Sequence, residues 1–390
     1  MRNKTGKRLF EIAVVFFWAS EYCHAPYFTP YLGSLGFSST LIGLIVGSYG
    51  FTQMLVRIPL GIATDATSGY KAVTVGGLFF TTLSSFGLWL FTDVYLIFLF
   101  RIFAGVAASA WIAMTVAYMS YYREEDAVTA TALLNSLNSC GKLLAFVLGA
   151  LAARFFGYRA ALFMSFLTGL IGLCLVPFTG KVELRRSPAS LKHLFSCLKN
   201  KNTLIPALLA AVSMMIVHGT VFSFTSTLAE GVGAGALMLS VLSMAFTLIQ
   251  ILSTNFLRSN FIKNGRRSLQ LCCGFLMMSG YLVILAFSSN AWMILCGQLV
   301  AGFAFALLNS LLMSECVRGV PPGEKTTAMG IYQAVYGIGM TIGPVYMGKI
   351  MDSLGVRPGC LLLAGFVALV ALIVRFFLFR DSAPMIDKAA

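Results

Sequence analysis

Apolar stretches long enough to cross a lipid bilayer recur along the whole chain, separated by short polar breaks. They run 9–33, 41–63, 72–91, 94–118, 128–153, 160–179, 204–229, 236–258, 269–288, 291–315, 326–351 and 359–379. A spanning helix needs about 20 mostly apolar residues, so twelve transmembrane helices are expected. Composition agrees: 58% of the 390 residues are hydrophobic, 11% are charged, and mean hydropathy is +0.85. A soluble domain carries about 25% charged residues. With fewer than half as many, a soluble surface would expose large apolar patches to water. The expected fold class is therefore an all-α membrane protein.

The net charge of +14 could suggest nucleic acid, but its placement argues for topology instead. If the N-terminus is cytoplasmic, the loops on that side hold 20 Lys and Arg, and the opposite loops hold three: Arg154, Arg159 and Arg357. By the positive-inside rule this places both termini in the cytoplasm and predicts a multi-pass protein of the cell's inner (plasma) membrane. No nucleic-acid partner is expected. The basic start, Met1 to Arg8, precedes an apolar run that is too long for a signal peptide and lacks an A-x-A-like cleavage site. It reads as the first helix. The nine cysteines form no C-x-x-C pair and read as small apolar fillers.

The longest polar interruption, 180–203, divides the runs into six and six. The two sets repeat. At an offset of 198, Thr129, Ala130, Asn135, Gly141, Gly157 and Arg159 meet Thr327, Ala328, Gln333, Gly339, Gly355 and Arg357. At 197, Arg101 and Gly105 meet Gln298 and Gly302; at 194, His24, Phe28 and Thr29 meet His218, Phe222 and Ser223. This predicts two pseudo-symmetric six-helix bundles, 1–180 and 204–390, joined by a cytoplasmic linker 181–203. Parallel repeats about an axis along the membrane normal are a transporter architecture, with the substrate site at the midplane between them.

The segment after the second run reads Arg57-Ile-Pro-Leu-Gly61-Ile-Ala-Thr-Asp65-Ala-Thr-Ser-Gly69-Tyr-Lys71. It resembles the G-x-x-x-D-R-x-G-R-K signature of the major facilitator superfamily, with one residue inserted before the second glycine and Ala66 in place of the first arginine. Asn264-Gly265-Arg266-Arg267 resembles the weaker second copy, and Arg101 with Gly105 resembles the superfamily's helix-4 arginine motif. The resemblance implies a rocker-switch secondary transporter, with Arg57, Gly61, Asp65 and Gly69 in a conformational latch. Gly61 would let two helices approach closely, and Asp65 would pair with a basic residue or take backbone N–H groups from a neighbouring helix start. The antiporter subgroup's G-x-x-x-G-P element is absent from the fifth run, which has Gly141, Ala145 and Phe146. It is present in the eleventh as Gly339, Gly343 and Pro344.

Ionisable residues inside the membrane are costly and mark functional sites. Glu21 lies on the order of 18 Å into the first helix, and Lys142 lies similarly deep in the fifth. Glu21, His24 and His218 are the candidates for proton coupling, since a buried carboxyl or imidazole can titrate near physiological pH. Arg101 and Lys142 outnumber Glu21, which favours an anionic or polar substrate. Phe28, Phe222, Gln298, Tyr332 and Tyr336 are the further candidates for substrate contact. No phosphate-binding G-x-x-x-x-G-K-[ST] loop and no G-x-S-x-G elbow is present, so an enzyme is not expected and ATP hydrolysis in this chain is not the energy source. The leading reading is a proton-coupled transporter of a small organic solute, acting as a monomer, with the solute, protons and the lipid bilayer as partners. No cofactor or metal is expected. A proton-driven multidrug efflux pump is the alternative; a lipid flippase or a non-transporting membrane sensor is the alternative from another class.

Overall fold

The structure is a computed structural model and describes residues 4–123, 126–180, 200–257, 266–318, 320 and 325–378. The linker 181–199 and the Asn264-Gly265 pair lie outside the described residues. Among the described residues the regular structure is all helical. The helices are α1 (Lys4–Tyr22), α2 (Ala25–Ser34), α3 (Ser39–Thr67), α4 (Tyr70–Leu90), α5 (Val94–Ser109), α6 (Trp111–Met119), α7 (Ala127–Phe156) and α8 (Tyr158–Leu175). They continue as α9 (Lys201–Ile216), α10 (Thr225–Gly231), α11 (Ala236–Leu257), α12 (Arg267–Phe287), α13 (Ala291–Cys316), α14 (Lys325–Ser353) and α15 (Val356–Ile373).

Ten helical stretches among the described residues are long and apolar enough to cross a membrane, by length and composition. The sequence led to twelve. The two that fall short are Lys4–Ser34 and Lys325–Ser353, and the reason is chemical. The first carries Lys4, Lys7, Arg8, Glu11 and Glu21 and is interrupted at Cys23-His24, just before Pro26. The second, α14, spends its length on glycine, threonine and tyrosine rather than on aliphatic residues.

Local sequence sets the helix starts. Ser38 accepts from the Leu41 N–H, Asp93 from those of Tyr95 and Leu96, and Asn290 from that of Met293; each satisfies donors that a helix start leaves unpaired. Gly157 between α7 and α8 has φ +80°, and Gly355 between α14 and α15 has φ +86°. Both sit in the left-handed region that favours glycine. These are the paired glycines of the 198-residue offset, so one sharp turn is written twice. The 194-residue offset also has a structural counterpart. The chain leaves regular α geometry at Cys23-His24, and again over Val217–Phe224, where the helix widens to a π-helix around His218.

The helices before residue 180 meet those after 200 along a tight seam of α3 against α14. A Cβ on Gly43 would strike the Pro344 carbonyl; one on Gly47 would lie 2.7 Å from the Thr341 carbonyl oxygen, and one on Gly50 would lie 2.7 Å from Cβ of Met340. Small residues at such spacing let helix backbones touch in lipid. The end of the bundle away from the N-terminus is closed further by polar contacts. Thr29 donates to the Ser223 carbonyl (2.8 Å), Thr227 to Thr29 (3.1 Å), Tyr27 hydrogen-bonds Ser240, and Tyr158 donates to Glu230 (2.7 Å). Asp352, at the end of α14, accepts the backbone N–H groups of Ser39 (3.0 Å) and Thr40 (2.7 Å) at the start of α3. Towards the other end the seam ends: a Cβ on Gly61 or Gly330 would meet nothing within 4 Å. The close backbone approaches of α3 to α14 are at Gly43, Gly47 and Gly50.

Candidate functional site

Close packing of small residues aims the polar groups at one another. Gly105 lies against α3, where a Cβ would be 2.6 Å from the Tyr49 carbonyl oxygen. One turn earlier on α5, Arg101 is thereby laid over the Tyr49 ring, with the guanidinium carbon 4.6 Å from its centroid and 5.3 Å from that of Phe28. Its Nη1 reaches Nε2 of His24 at 3.5 Å, and Nδ1 of His24 lies 2.9 Å from Oγ of Ser165. A guanidinium can only donate, so Nε2 accepts. The imidazole is then neutral, with its proton on Nδ1 directed at Ser165. Among the described residues Arg101 has no carboxylate within ion-pairing distance, its Nε has no partner, and Nη2 makes no hydrogen bond.

These groups line a small cavity of about 30 Å³. From α1 and α2 it is lined by Glu21, Tyr22, His24, Ala25 and Phe28; from α3 by Val46 and Tyr49; and from α5 by Arg101. The π-helical segment contributes His218 and Phe222, whose rings are 5.7 Å apart. A cavity between helices of both ends of the chain is thus walled by aromatic rings and carries one carboxylate, one guanidinium and two imidazoles.

Of the candidates from sequence, Glu21, His24, Arg101, His218, Phe28 and Phe222 converge here. Lys142 does not line the cavity. Gly141 packs against α1 (a Cβ would lie 2.6 Å from the Val15 carbonyl oxygen), which sets the Lys142 ammonium over Trp18 (5.4 Å) and Tyr22 (4.7 Å). Tyr332 and Tyr336 belong to a separate cluster further along the α3–α14 seam. There buried Arg57 donates from Nη1 to Gln333 (3.2 Å) and to the Tyr336 hydroxyl (3.1 Å), while the Tyr332 hydroxyl has no partner among the described residues. Gln298 is buried in α13 with its Oε1 unpartnered among the described residues, and it does not line the cavity. Asp65 accepts from the Tyr70 hydroxyl at 2.7 Å, and Gly69 precedes α4. Arg57 thus bridges the two sides of the seam, whereas the Asp65 contact stays within one loop.

Sequence reasoning missed a layer of hydroxyls behind the cavity. Thr81 donates to Glu21; Ser20 donates to the Ser165 carbonyl (2.8 Å) and lies 3.3 Å from Ser85. All four are buried. The spacing Ser20/His24 and Thr81/Ser85, four apart in apolar runs, is the helical signal that could have found them.

The chain matches the family model described as Major Facilitator Superfamily over residues 11–260 and again over 209–390. It is similar to the "Inner membrane transport protein YajR" of Escherichia coli (strain K12), 26% identical over 318 residues, 79% of this chain and 68% of that protein. It also resembles the "Uncharacterized MFS-type transporter MJ1560" of Methanocaldococcus jannaschii, 23% identical over 343 residues, 85% of this chain and 87% of that protein. In fold it is like a bacterial homologue of the human lysosomal transporter Spinster, solved inward-facing and occupied, with TM-score 0.77 at 13% identity, covering 96% of each chain. It is also like the nucleoside transporter NupG, with TM-score 0.69 at 18% identity, covering 95% of this chain and 98% of that one.

Proposed function

Because the chain belongs to the major facilitator superfamily, and so is a multi-pass membrane transporter, we propose that the Arg101 cavity is its substrate site. The transported species is a small organic solute, polar or anionic, and movement is by alternating access coupled to protons. In this reading the runs 9–33 and 326–351 also cross the bilayer, giving twelve spans in two six-helix halves with both termini cytoplasmic. The closed seam then faces outward, and the cavity is reached from the cytoplasm.

The observation that carries the reading is Arg101. A guanidinium in the membrane is costly unless paired, yet this one has the rings of Phe28 and Tyr49 beside it, the His24 imidazole on one nitrogen and, among the described residues, no carboxylate within ion-pairing distance. A solute anion would supply what the protein withholds. Glu21 is the carboxylate that lines the same cavity, held by Thr81, and it is the proton carrier in this reading. When it is protonated the cavity has room for a net negative ligand; when it is ionised it compensates Arg101 and favours release. Multidrug efflux is the second reading, favoured by the ring-rich lining.

Purified protein screened for thermal stabilisation by small anions and by cationic amphiphiles separates the two. Stabilisation by anions that is lost in Arg101→Gln supports the first. Stabilisation by cationic amphiphiles alone, unchanged in Arg101→Gln, refutes it.

A further inference from the structure

We infer that the cavity selects a flat aromatic ring bearing a carboxylate-type anion, over an aliphatic anion, an amine or a zwitterion. The inference rests on the reading of the cavity as a solute site and goes further, to the chemical class. Its first support is how Arg101 is presented. Phe28 and Tyr49 lie over the guanidinium, and His24 holds Nη1. Nε and Nη2, the donors of one edge, make no hydrogen bond among the described residues. An edge-on donor accepts a planar anion lying in the guanidinium plane, and a carboxylate attached to a ring continues that plane.

The second support is the rest of the wall. Tyr22 and Phe222 line the cavity and stand edge to face with ring centroids 5.5 Å apart. The His218 ring flanks Phe222. A ligand ring placed against them gains aromatic contacts as well as burial, worth about tenfold in affinity over an aliphatic group of equal charge. The third support is charge. The Lys142 ammonium, over the rings of Trp18 and Tyr22, makes no hydrogen bond or ion pair among the described residues. With Arg101 it gives two cations around the cavity against one carboxylate, Glu21. With Glu21 protonated, as the proposed cycle has it when the ligand binds, an anion reduces the surplus of positive charge, whereas a zwitterion leaves it in place and an amine enlarges it.

The test is binding of four probes to the purified full chain by calorimetry at neutral pH: benzoate, acetate, benzylamine and phenylalanine. Benzoate is expected to bind about tenfold tighter than acetate, with phenylalanine weaker than benzoate and benzylamine not binding. Phe222→Leu should bring benzoate down to the affinity of acetate and leave acetate unchanged, while keeping Arg101 and the fold. Equal affinities for benzoate and acetate overturn the ring preference but leave the anion site standing. Phenylalanine binding tighter than benzoate overturns the monoanion assignment in favour of a zwitterion held between Arg101 and Glu21, and benzylamine binding overturns it too. Failure of both carboxylates to bind the folded wild type overturns the anion site itself, and this inference with it.

Discussion

Replacing Asp352 should loosen the seam between α3 and α14. Its carboxylate accepts the first two backbone N–H groups of α3, from Ser39 and Thr40, while Ser38 satisfies the Leu41 N–H. Helix α3 therefore keeps its own cap when Asp352 is removed, and what is lost is the link between α14 and α3. Removing a capping side chain costs about 1 kcal/mol. The charge at a helix start adds about 0.3–1 kcal/mol, which exposure and salt reduce. A total of about 1 kcal/mol shifts the balance between closed and open seam about fivefold; Asp352→Asn, which keeps one acceptor oxygen, should shift it about half as far in free energy. Hydrogen exchange read by mass spectrometry reports this without labels. In Asp352→Ala, peptides covering Ser39–Gly43 should exchange faster, and so should the α2 peptide Ala25–Ser34, about fivefold, because Tyr27 and Thr29 belong to the same seam. Faster exchange at residues 39–43 alone would mean that the contact is local and does not hold the seam, refuting the reasoning. The seam should also be insensitive to pH in the working range. Hydrogen bonds from Thr40, and after it Ser39, hold the Asp352 carboxyl at about 2, below the usual 3.8. With a lowered pKa the stabilisation is complete above the usual value and is lost only as pH falls towards 2. Any pH dependence of transport between about pH 5 and 8 must then come from other groups.

Four substitutions elsewhere in the same geometry have expected outcomes. Gly43→Val puts a branched side chain into the Pro344 backbone and should open the seam by the same exchange readout. Gly61→Ala meets open space and should leave it unchanged. Thr81→Val strips Glu21 of its hydroxyl donor, leaving a buried acceptor that costs about 1–3 kcal/mol; a lower melting temperature, restored in Thr81→Ser, is the expected result. Arg57→Gln removes the Nη1 bonds to Gln333 and Tyr336, and a double-mutant cycle with Tyr336→Phe should show a coupling of about 1 kcal/mol. A coupling near zero would place the two residues in contact without energetic consequence.

The membrane class and several of the residues that line the cavity were legible in the sequence because each is encoded locally. Apolar run length reports helices, and rare charged residues in those runs report where polarity is tolerated. Glu21, His24, Arg101 and His218 were found that way, and the repeat pairing of Phe28 with Phe222 brought in the rings. Lys142 and Tyr332 do not line the cavity, because residue type and depth do not fix which way a helix face points. Gly141 turns Lys142 onto Trp18 and Tyr22, and α14 carries Tyr332 towards Arg57. Gln298 was included by its pairing with Arg101 in the repeat, yet α13 buries it away from the cavity. The seam was legible in principle, since Gly43-x-x-x-Gly47 is a helix-packing spacing. Asp352 was not, because its partners are backbone groups more than 300 positions away, visible only once α3 and α14 are placed side by side.

Flux into proteoliposomes tests the central claim, that Arg101 holds the solute and Glu21 carries the proton. Benzoate, or any anion that stabilises the purified wild type, would be followed with and without an imposed pH gradient. The account predicts that the wild type accumulates the anion when the gradient is present. Glu21→Gln should exchange the anion across the membrane without accumulating it, and Arg101→Gln should do neither. Gradient-driven accumulation by Glu21→Gln at the wild-type level, or exchange preserved in Arg101→Gln, would contradict it.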